Sequence, residues 1–364
     1  MKIIISGGGT GGHIFPAIAI ANALKAIDPS CEILFVGAQG RMEMEKVPAA
    51  GYPIIGLPVA GFQRRLTWKN ITFIFKLIRS IMKAKQIIRS FNPDVVVGVG
   101  GYASGPMMRS AAQRGIPTLI QEQNSFAGVT NKLLAKKAKR ICVAYNDMDK
   151  QFPAEKILLT GNPVRQGLET VEYLHDEAIQ YFKLEANKPT VLLIGGSLGA
   201  RTLNESVAAK LEEINTSDIQ FIWQTGKGYN EEAKRLLAGN KYPNIHQFDF
   251  ISRMDLAYSA ADAVISRAGA LSISELCVVG KPAILVPSPN VAEDHQTHNA
   301  MALVKQNAAM MIRDVDASKT LIDEALKLVI NREKKLQLAS NIKQLAMPNA
   351  ANVIAKEVIR LTIK

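Results

Sequence analysis

The chain has 364 residues, enough for two packed domains at about 150 residues each. Its 48% apolar and 21% charged residues, with 26 Gly and 16 Pro, exclude a disordered, collagen-like or coiled-coil chain, and three scattered cysteines (Cys31, Cys142, Cys277) exclude a disulfide framework and fit a reducing cytoplasm. The net charge of +12 belongs to the first half: 21 Lys/Arg meet 9 Asp/Glu up to Asn162 and 23 meet 23 beyond it, so an anionic partner is expected there.

Short β-branched runs alternate with helical patterns, the signature of βαβ units and parallel sheets. The spacing predicts strands at 2–6, 32–37, 94–100, 117–121, 140–144 and 156–160. The pattern then restarts, with strands at 190–195, 219–225, 245–248, 262–266, 282–287 and 309–312. Two doubly wound α/β domains result, 1–162 and 163–348, with a hinge near Gly161-Asn162-Pro163. After Pro348 a helical tail, 349–364, carries Val353, Ile354, Val358 and Leu361 at helix spacing and is expected to close back on the first domain. Only Ile3, Ile4 and Ile5 precede the glycine-rich 6–12, too few for a signal-peptide core, so the mature protein is expected to start here. The most apolar region, 71–82, is broken by Lys76 and Arg79 and falls short of the roughly 18 uncharged residues of a membrane span.

Three glycine-rich turns follow predicted strands and lead into helices: Gly7-Gly8-Gly9-Thr10-Gly11-Gly12-His13, Gly98-Val99-Gly100-Gly101-Tyr102-Ala103-Ser104-Gly105-Pro106 and Gly195-Gly196-Ser197-Leu198-Gly199-Ala200-Arg201. At such a junction, backbone N–H groups and the positive helix end can approach a phosphate or sugar closely. Gly7, Gly9 and Gly12 also satisfy the dinucleotide fingerprint. That fingerprint needs an acid at the end of the second strand, and Phe35-Val36-Gly37-Ala38-Gln39-Gly40 has none, although Arg41 would tolerate an NADP phosphate. His13, the one histidine of the first domain, is a candidate general base, since an unperturbed imidazole with a pKa of about 6.5 suits proton acceptance at neutral pH; the plainer alternative is a histidine that only bonds its loop.

In the second half, Ser266-Arg267-Ala268-Gly269-Ala270-Leu271-Ser272-Ile273-Ser274-Glu275 reads as strand, small-residue turn and helix start. Its N–H groups could hold a diphosphate, and Glu275 either accepts from both ribose hydroxyls or closes a capping box with Ser272. Gln296 and Asn299, three apart on one helix face, offer amides suited to sugar hydroxyls. His295 and His298 share a face without an evident third metal ligand, and Asp147-Met148-Asp149 and Asp314-Val315-Asp316 read as surface turns or caps. No metal and no cofactor is expected.

Taken in order, the opening Gly-Gly-Thr-Gly-Gly-His turn, Gly100 through Pro106, Glu122-Gln123-Asn124, Gly161-Asn162-Pro163-Val164-Arg165, the Ser197 turn, the Arg267 to Glu275 segment and His295-Gln296 resemble the MurG family of bacterial transferases. That family adds N-acetylglucosamine (GlcNAc) to the undecaprenyl-diphosphate-linked muramoyl pentapeptide of peptidoglycan. The resemblance implies two Rossmann-like domains facing across a cleft, the glycosyltransferase B fold, with acceptor in the first domain and UDP-GlcNAc in the second. It implies that Arg165 and the backbone at Ile251 hold uracil and that Glu275 holds the ribose. Ser197 with Ala270, Leu271 and Ser272, in the segment that runs on through Ile273 and Ser274, would hold the diphosphate. Gln296 and Asn299 would read the GlcNAc hydroxyls, and Thr10, Gly11, Gly12, His13 and Asn124 would line the meeting point of donor and acceptor. Leu198 departs from the Gln often found after that Ser.

The implied reaction is a single inverting displacement: the acceptor 4-hydroxyl attacks the anomeric carbon, a base takes its proton, and helix-end N–H groups stabilise the departing diphosphate. His13 is the expected base, with Glu122 the competitor. The acid-free tract 46–93 holds nine Lys/Arg, and Arg64, Arg65, Trp68, Lys69, Phe75, Lys76 and Arg79 in it read as a contact with anionic lipid, alongside an inner helix face that is ordinary core. The expected location is therefore peripheral, on the cytoplasmic face of the bacterial inner membrane, with other cell-wall synthesis proteins as partners. Two rivals share features with this reading. A sugar-nucleotide epimerase needs carboxylates near the anomeric carbon that are not apparent, and an RNA-binding protein needs an aromatic RNA motif that the basic tract lacks, so no nucleic-acid partner is expected.

Overall fold

A computed structural model describes residues 1–59, 68–196, 199–291 and 294–363, and for 68–74 and 240 it describes the backbone. The chain forms two compact units, Met1–Arg165 with Met347–Lys364, and Gln166–Ala346.

The first unit is a seven-stranded sheet of β1 (Lys2–Ser6), β2 (Glu32–Ala38), β3 (Ile54–Leu57), β4 (Val95–Gly98), β5 (Thr118–Glu122), β6 (Arg140–Val143) and β7 (Ile157–Leu159), in the order β3-β2-β1-β4-β5-β6-β7. Every pairing is parallel. Parallel strands joined by helical crossovers are covered on both faces, which is why β1 is an unbroken isoleucine run. Ile3 and Ile5 enter one core with Ile14, Ile20 and Leu24 of the helix Gly11–Ile27, while Ile4 enters the opposite core with Ile87 and Ile88 of Trp68–Phe91 and Met107 of Ser104–Gln113. β3 is absent from the sequence expectation. Pro53, Gly56 and Pro58 interrupt its β pattern, and among the described residues it pairs with β2 alone at the sheet edge, where such residues are tolerated.

The last helix, Ala350–Arg360, lies on Gly11–Ile27 and places Ile354, Ala355 and Val358 in the same core. Its Glu357 accepts from Arg140 Nε at 2.7 Å, while Val353, one of its predicted apolar positions, is exposed.

The second unit repeats the arrangement with β8 (Thr190–Ile194), β9 (Gln220–Gln224), β10 (Ile245–Phe248), β11 (Ala263–Ser266), β12 (Ala283–Leu285) and β13 (Met310–Met311), all parallel, in the order β10-β9-β8-β11-β12-β13. Val191 and Leu193 pack with the helices Arg201–Ala208 and Asp314–Ile330. In each unit the strand order reverses at the first strand, so Ser6 lies beside Gly98 and Ile194 beside Ser266. The turns that leave these paired ends converge, and a doubly wound sheet binds ligands at such a point.

Candidate active site

In the first unit the two glycine-rich turns are pressed together. Gly101 has φ +81°, and a Cβ there would overlap the Gly8 carbonyl, so no other residue fits without moving a turn. Thr10 precedes the helix Gly11–Ile27, and its Oγ1 lies 3.2 Å from His13 Nδ1. The other edge of the imidazole rests on Gly100, where a Cβ would come within 2.9 Å of Nε2. His13 is half-buried and fixed in orientation by both turns.

Glu122 ends β5 and is buried. One carboxylate oxygen accepts from Asn124 N at 3.0 Å and Asn124 Nδ2 at 3.3 Å; the other accepts from Gly128 N at 3.1 Å and Asn131 Nδ2 at 2.8 Å. Burial pushes its carboxyl pKa up, and these four donors oppose that shift. The group shapes the loop that presents the half-buried Asn124. Behind it, Gln123 Nε2 donates to Val99 O at 2.8 Å, Gln121 Nε2 to Asn162 Oδ1 at 2.9 Å and Asn162 Nδ2 to Gln123 O at 3.0 Å. This buried network ties the glycine turn, the end of β5 and the 161–163 segment together. Arg165, exposed, ends the stretch.

In the second unit the turn after β8 is held by Gly199 N donating to Gly196 O at 3.0 Å and Gln224 Nε2 donating to the same carbonyl at 3.0 Å. Ser197 and Leu198 lie outside the described residues. Beside it, β11 runs through Arg267-Ala268-Gly269 into the helix Ala270–Val279. Gly269 is the N-cap, which puts Ser272 inside the first turn and removes the capping-box alternative. That first turn carries no acidic side chain, and a helix N-terminus of this kind suits an anion through its N–H groups and dipole. Within the segment Leu271 and Ser272 are half-buried, Ile273 is core, and Ser274 Oγ bonds back to Ala270 O at 3.0 Å. Glu275 is 4% exposed and accepts from Tyr258 Oη at 3.0 Å.

Arg267 locks this segment in place: Nη1 donates to Val286 O at 3.1 Å, Pro287 O at 3.3 Å and Asp314 Oδ1 at 2.5 Å, while Asp314 Oδ2 accepts from Thr202 at 3.0 Å. Gln296 Oε1 accepts from Ser288 N at 2.8 Å, which fixes its amide. Asn299 is 0% exposed and donates to Ala268 O at 3.5 Å, so its amide is directed at the turn. Ile251 is buried between β10 and the helix Met254–Ala260. Asp314 is taken up by Arg267 and Asp316 by Arg313 at 2.7 Å, and among the described residues no group of three His, Cys, Asp or Glu could hold a metal ion. Sequence reasoning missed Tyr258, which reaches Glu275 from a separate helix and carries no local signal.

On the helix Trp68–Phe91, Phe75 is 65% exposed and Ile78 and Met82 are exposed with it, spaced for one face, beside exposed Lys76 and Arg79. Ala84, Ile87 and Ile88 of the same helix are core. Arg64 and Arg65 lie outside the described residues, as do the side chains of Trp68 and Lys69. Among the described residues no helix is long and apolar enough to cross a membrane.

Residues 3–143 match the glycosyltransferase family 28 N-terminal domain, and 190–355 match the C-terminal domain of the same family. A Bacteroides fragilis protein named UDP-N-acetylglucosamine--N-acetylmuramyl-(pentapeptide) pyrophosphoryl-undecaprenol N-acetylglucosamine transferase is 59% identical over 363 residues, covering 99% of this chain and 96% of its own. A Flavobacterium psychrophilum protein of the same name is 53% identical, covering 99% and 97%. The crystal structure of Acinetobacter baumannii MurG is similar with a TM-score of 0.79 at 30% identity, covering 99% of both chains. A UDP-GlcNAc 2-epimerase from Neisseria meningitidis, at 16% identity and TM-score 0.69 over 99% of this chain and 100% of its own, shares the fold.

Proposed function

The chain belongs to glycosyltransferase family 28, with the N-acetylglucosamine transferases named above, and from that membership we infer how its own residues carry the reaction. It is a UDP-GlcNAc-dependent N-acetylglucosaminyltransferase of the glycosyltransferase B fold, which moves GlcNAc from UDP-GlcNAc to lipid I and so forms lipid II in peptidoglycan synthesis.

The second unit takes the donor. The observation that carries this assignment is the buried Glu275 carboxylate, held by Tyr258 one turn inside a helix whose N-terminus stands at the reversal of strand order. Glu275 accepts from the ribose hydroxyls, the N–H groups of Ala270, Leu271 and Ser272 face the diphosphate, and Ser197 joins them. Gln296 addresses the GlcNAc hydroxyls, and Asn299 shapes the turn that precedes the phosphate-binding helix. As the bond to the anomeric carbon breaks, negative charge grows on the diphosphate, and fixed N–H dipoles stabilise it without reorganising.

The first unit takes the acceptor. His13, whose Nδ1 lies 3.2 Å from Thr10 Oγ1, is the base that removes the proton of the attacking 4-hydroxyl. Glu122 acts through the loop it holds, placing Asn124, because its oxygens are engaged by four N–H donors. The exposed Phe75, Ile78 and Met82 with Lys76 and Arg79 support a docking surface for anionic lipid, and the reading is of a peripheral enzyme on the cytoplasmic face of the membrane that holds its acceptor. The test is UDP release: it requires a muramoyl-diphosphate lipid, whereas release without acceptor, or interconversion of the sugar nucleotide alone, contradicts the proposal.

A further inference from the structure

The glycine-rich turn after β1 has the spacing of an anion site, and the structure fills part of it from within. Glu43 begins the short helix Glu43–Ala49 and is 1% exposed. Its Oε2 accepts from Gly9 N at 2.9 Å and its Oε1 from Ala38 N at 2.8 Å. The fit is close on two sides, since a Cβ on Gly8 or on Gly37 would overlap the Glu43 side chain. The acid that a dinucleotide fold would aim at a ribose from the end of β2 is thus a few residues further on and turned inward, onto an N–H that the fingerprint would offer to a phosphate.

We propose that Glu43 is a positioning residue for the transfer reaction: as an internal anion it holds Gly9, and through it the Thr10 to His13 segment, in the geometry in which His13 accepts the proton. The proposal rests on the assignment of His13 as base. A carboxylate is required because both contacts are N–H donors and each needs an acceptor; an amide supplies one oxygen and confronts the second donor with its own N–H groups. Displacement of a base by a fraction of an ångström reduces turnover without changing affinity for a donor bound elsewhere.

The experiment uses the full chain with UDP-GlcNAc and a soluble lipid I analogue. Glu43→Gln is expected to lower kcat by about tenfold or more, with KM for UDP-GlcNAc unchanged and a native circular dichroism spectrum. Combined with His13→Ala it should add no further loss, because both changes remove the same step. Where Glu43→Gln folds poorly, Glu43→Ala opens a space between the two N–H groups, and formate should restore kcat in a saturable way that chloride at equal ionic strength does not. A normal kcat in folded Glu43→Gln, a loss that appears in KM for UDP-GlcNAc, full additivity with His13→Ala, or equal recovery with chloride would each overturn the proposal. If His13→Ala itself turns over normally, the base assignment falls and the proposal falls with it, whereas a normal kcat in folded Glu43→Gln beside an impaired His13→Ala overturns the proposal alone.

Discussion

The phenol of Tyr258 donates to the Glu275 carboxylate at 3.0 Å, and both residues are buried. A buried carboxylate needs hydrogen-bond donors to remain ionised, and a donor fixed on one oxygen also fixes the direction of the other. Glu275→Gln is expected to keep the fold and weaken the use of UDP-GlcNAc by roughly 2 kcal/mol, the scale of a lost charge-assisted bond. Tyr258→Phe should raise KM for UDP-GlcNAc in the same direction and by less, with little loss against a 2′,3′-dideoxyribose donor analogue. Unchanged donor kinetics in both variants would remove Glu275 from the donor site.

The exposed stripe of Phe75, Ile78 and Met82 predicts a two-part membrane affinity. Lys76→Gln with Arg79→Gln should reduce binding to anionic vesicles by up to about 1 kcal/mol per charge, and salt should mimic the change. Phe75→Ser with Ile78→Ser should remove the part that survives high salt, while activity on a short-chain soluble acceptor persists. Vesicle sedimentation that is indifferent to all four changes would place the docking surface elsewhere.

Cys31, Cys142 and Cys277 are free and buried, and burial pushes the Cys142 and Cys277 thiols up to about 12 and raises that of Cys31. A thiol held protonated is a poor nucleophile. Native protein should therefore show no rapid reaction with a disulfide reagent such as Ellman's, and all three thiols should react once it is unfolded. Rapid modification of the native enzyme would contradict this burial.

Glu122 makes a prediction about stability and pH. Burial raises its folded pKa above the unfolded value, so its contribution is complete below the ordinary carboxylate range and declines as pH rises through the folded pKa. The Tm advantage of the native protein over Glu122→Gln should accordingly be larger at acid pH than at neutral pH. An advantage that grows with pH would mean that the four N–H donors outweigh burial.

Much of this architecture is legible in the sequence because both sheets are parallel and buried, so their strands appear as short β-branched runs between helical patterns. β3 escapes because Pro53, Gly56 and Pro58 break its run, and only pairing with β2 makes it a strand. The capping-box reading of Glu275 fails on the backbone of Gly269, the N-cap of its helix, and the bond from Tyr258 comes from a separate helix; local sequence specifies neither. Gln296 and Asn299 look equivalent at a separation of three, yet one is half-buried and the other wholly buried, because packing against the Ala268 turn falls on only one of them. Glu43 carries no motif, since an inward carboxylate is recognisable only once the turn after β1 and the end of β2 are seen side by side.

The pH dependence of kcat in His13→Ala, measured beside Glu122→Gln with saturating UDP-GlcNAc, tests the central assignment most directly. If His13 takes the proton and Glu122 holds the loop, His13→Ala lowers kcat by about a hundredfold or more and abolishes the acidic limb of the profile, whereas Glu122→Gln lowers kcat with that limb retained. Near-normal turnover and an intact limb in His13→Ala, with both lost in Glu122→Gln, would contradict the assignment and make Glu122 the base.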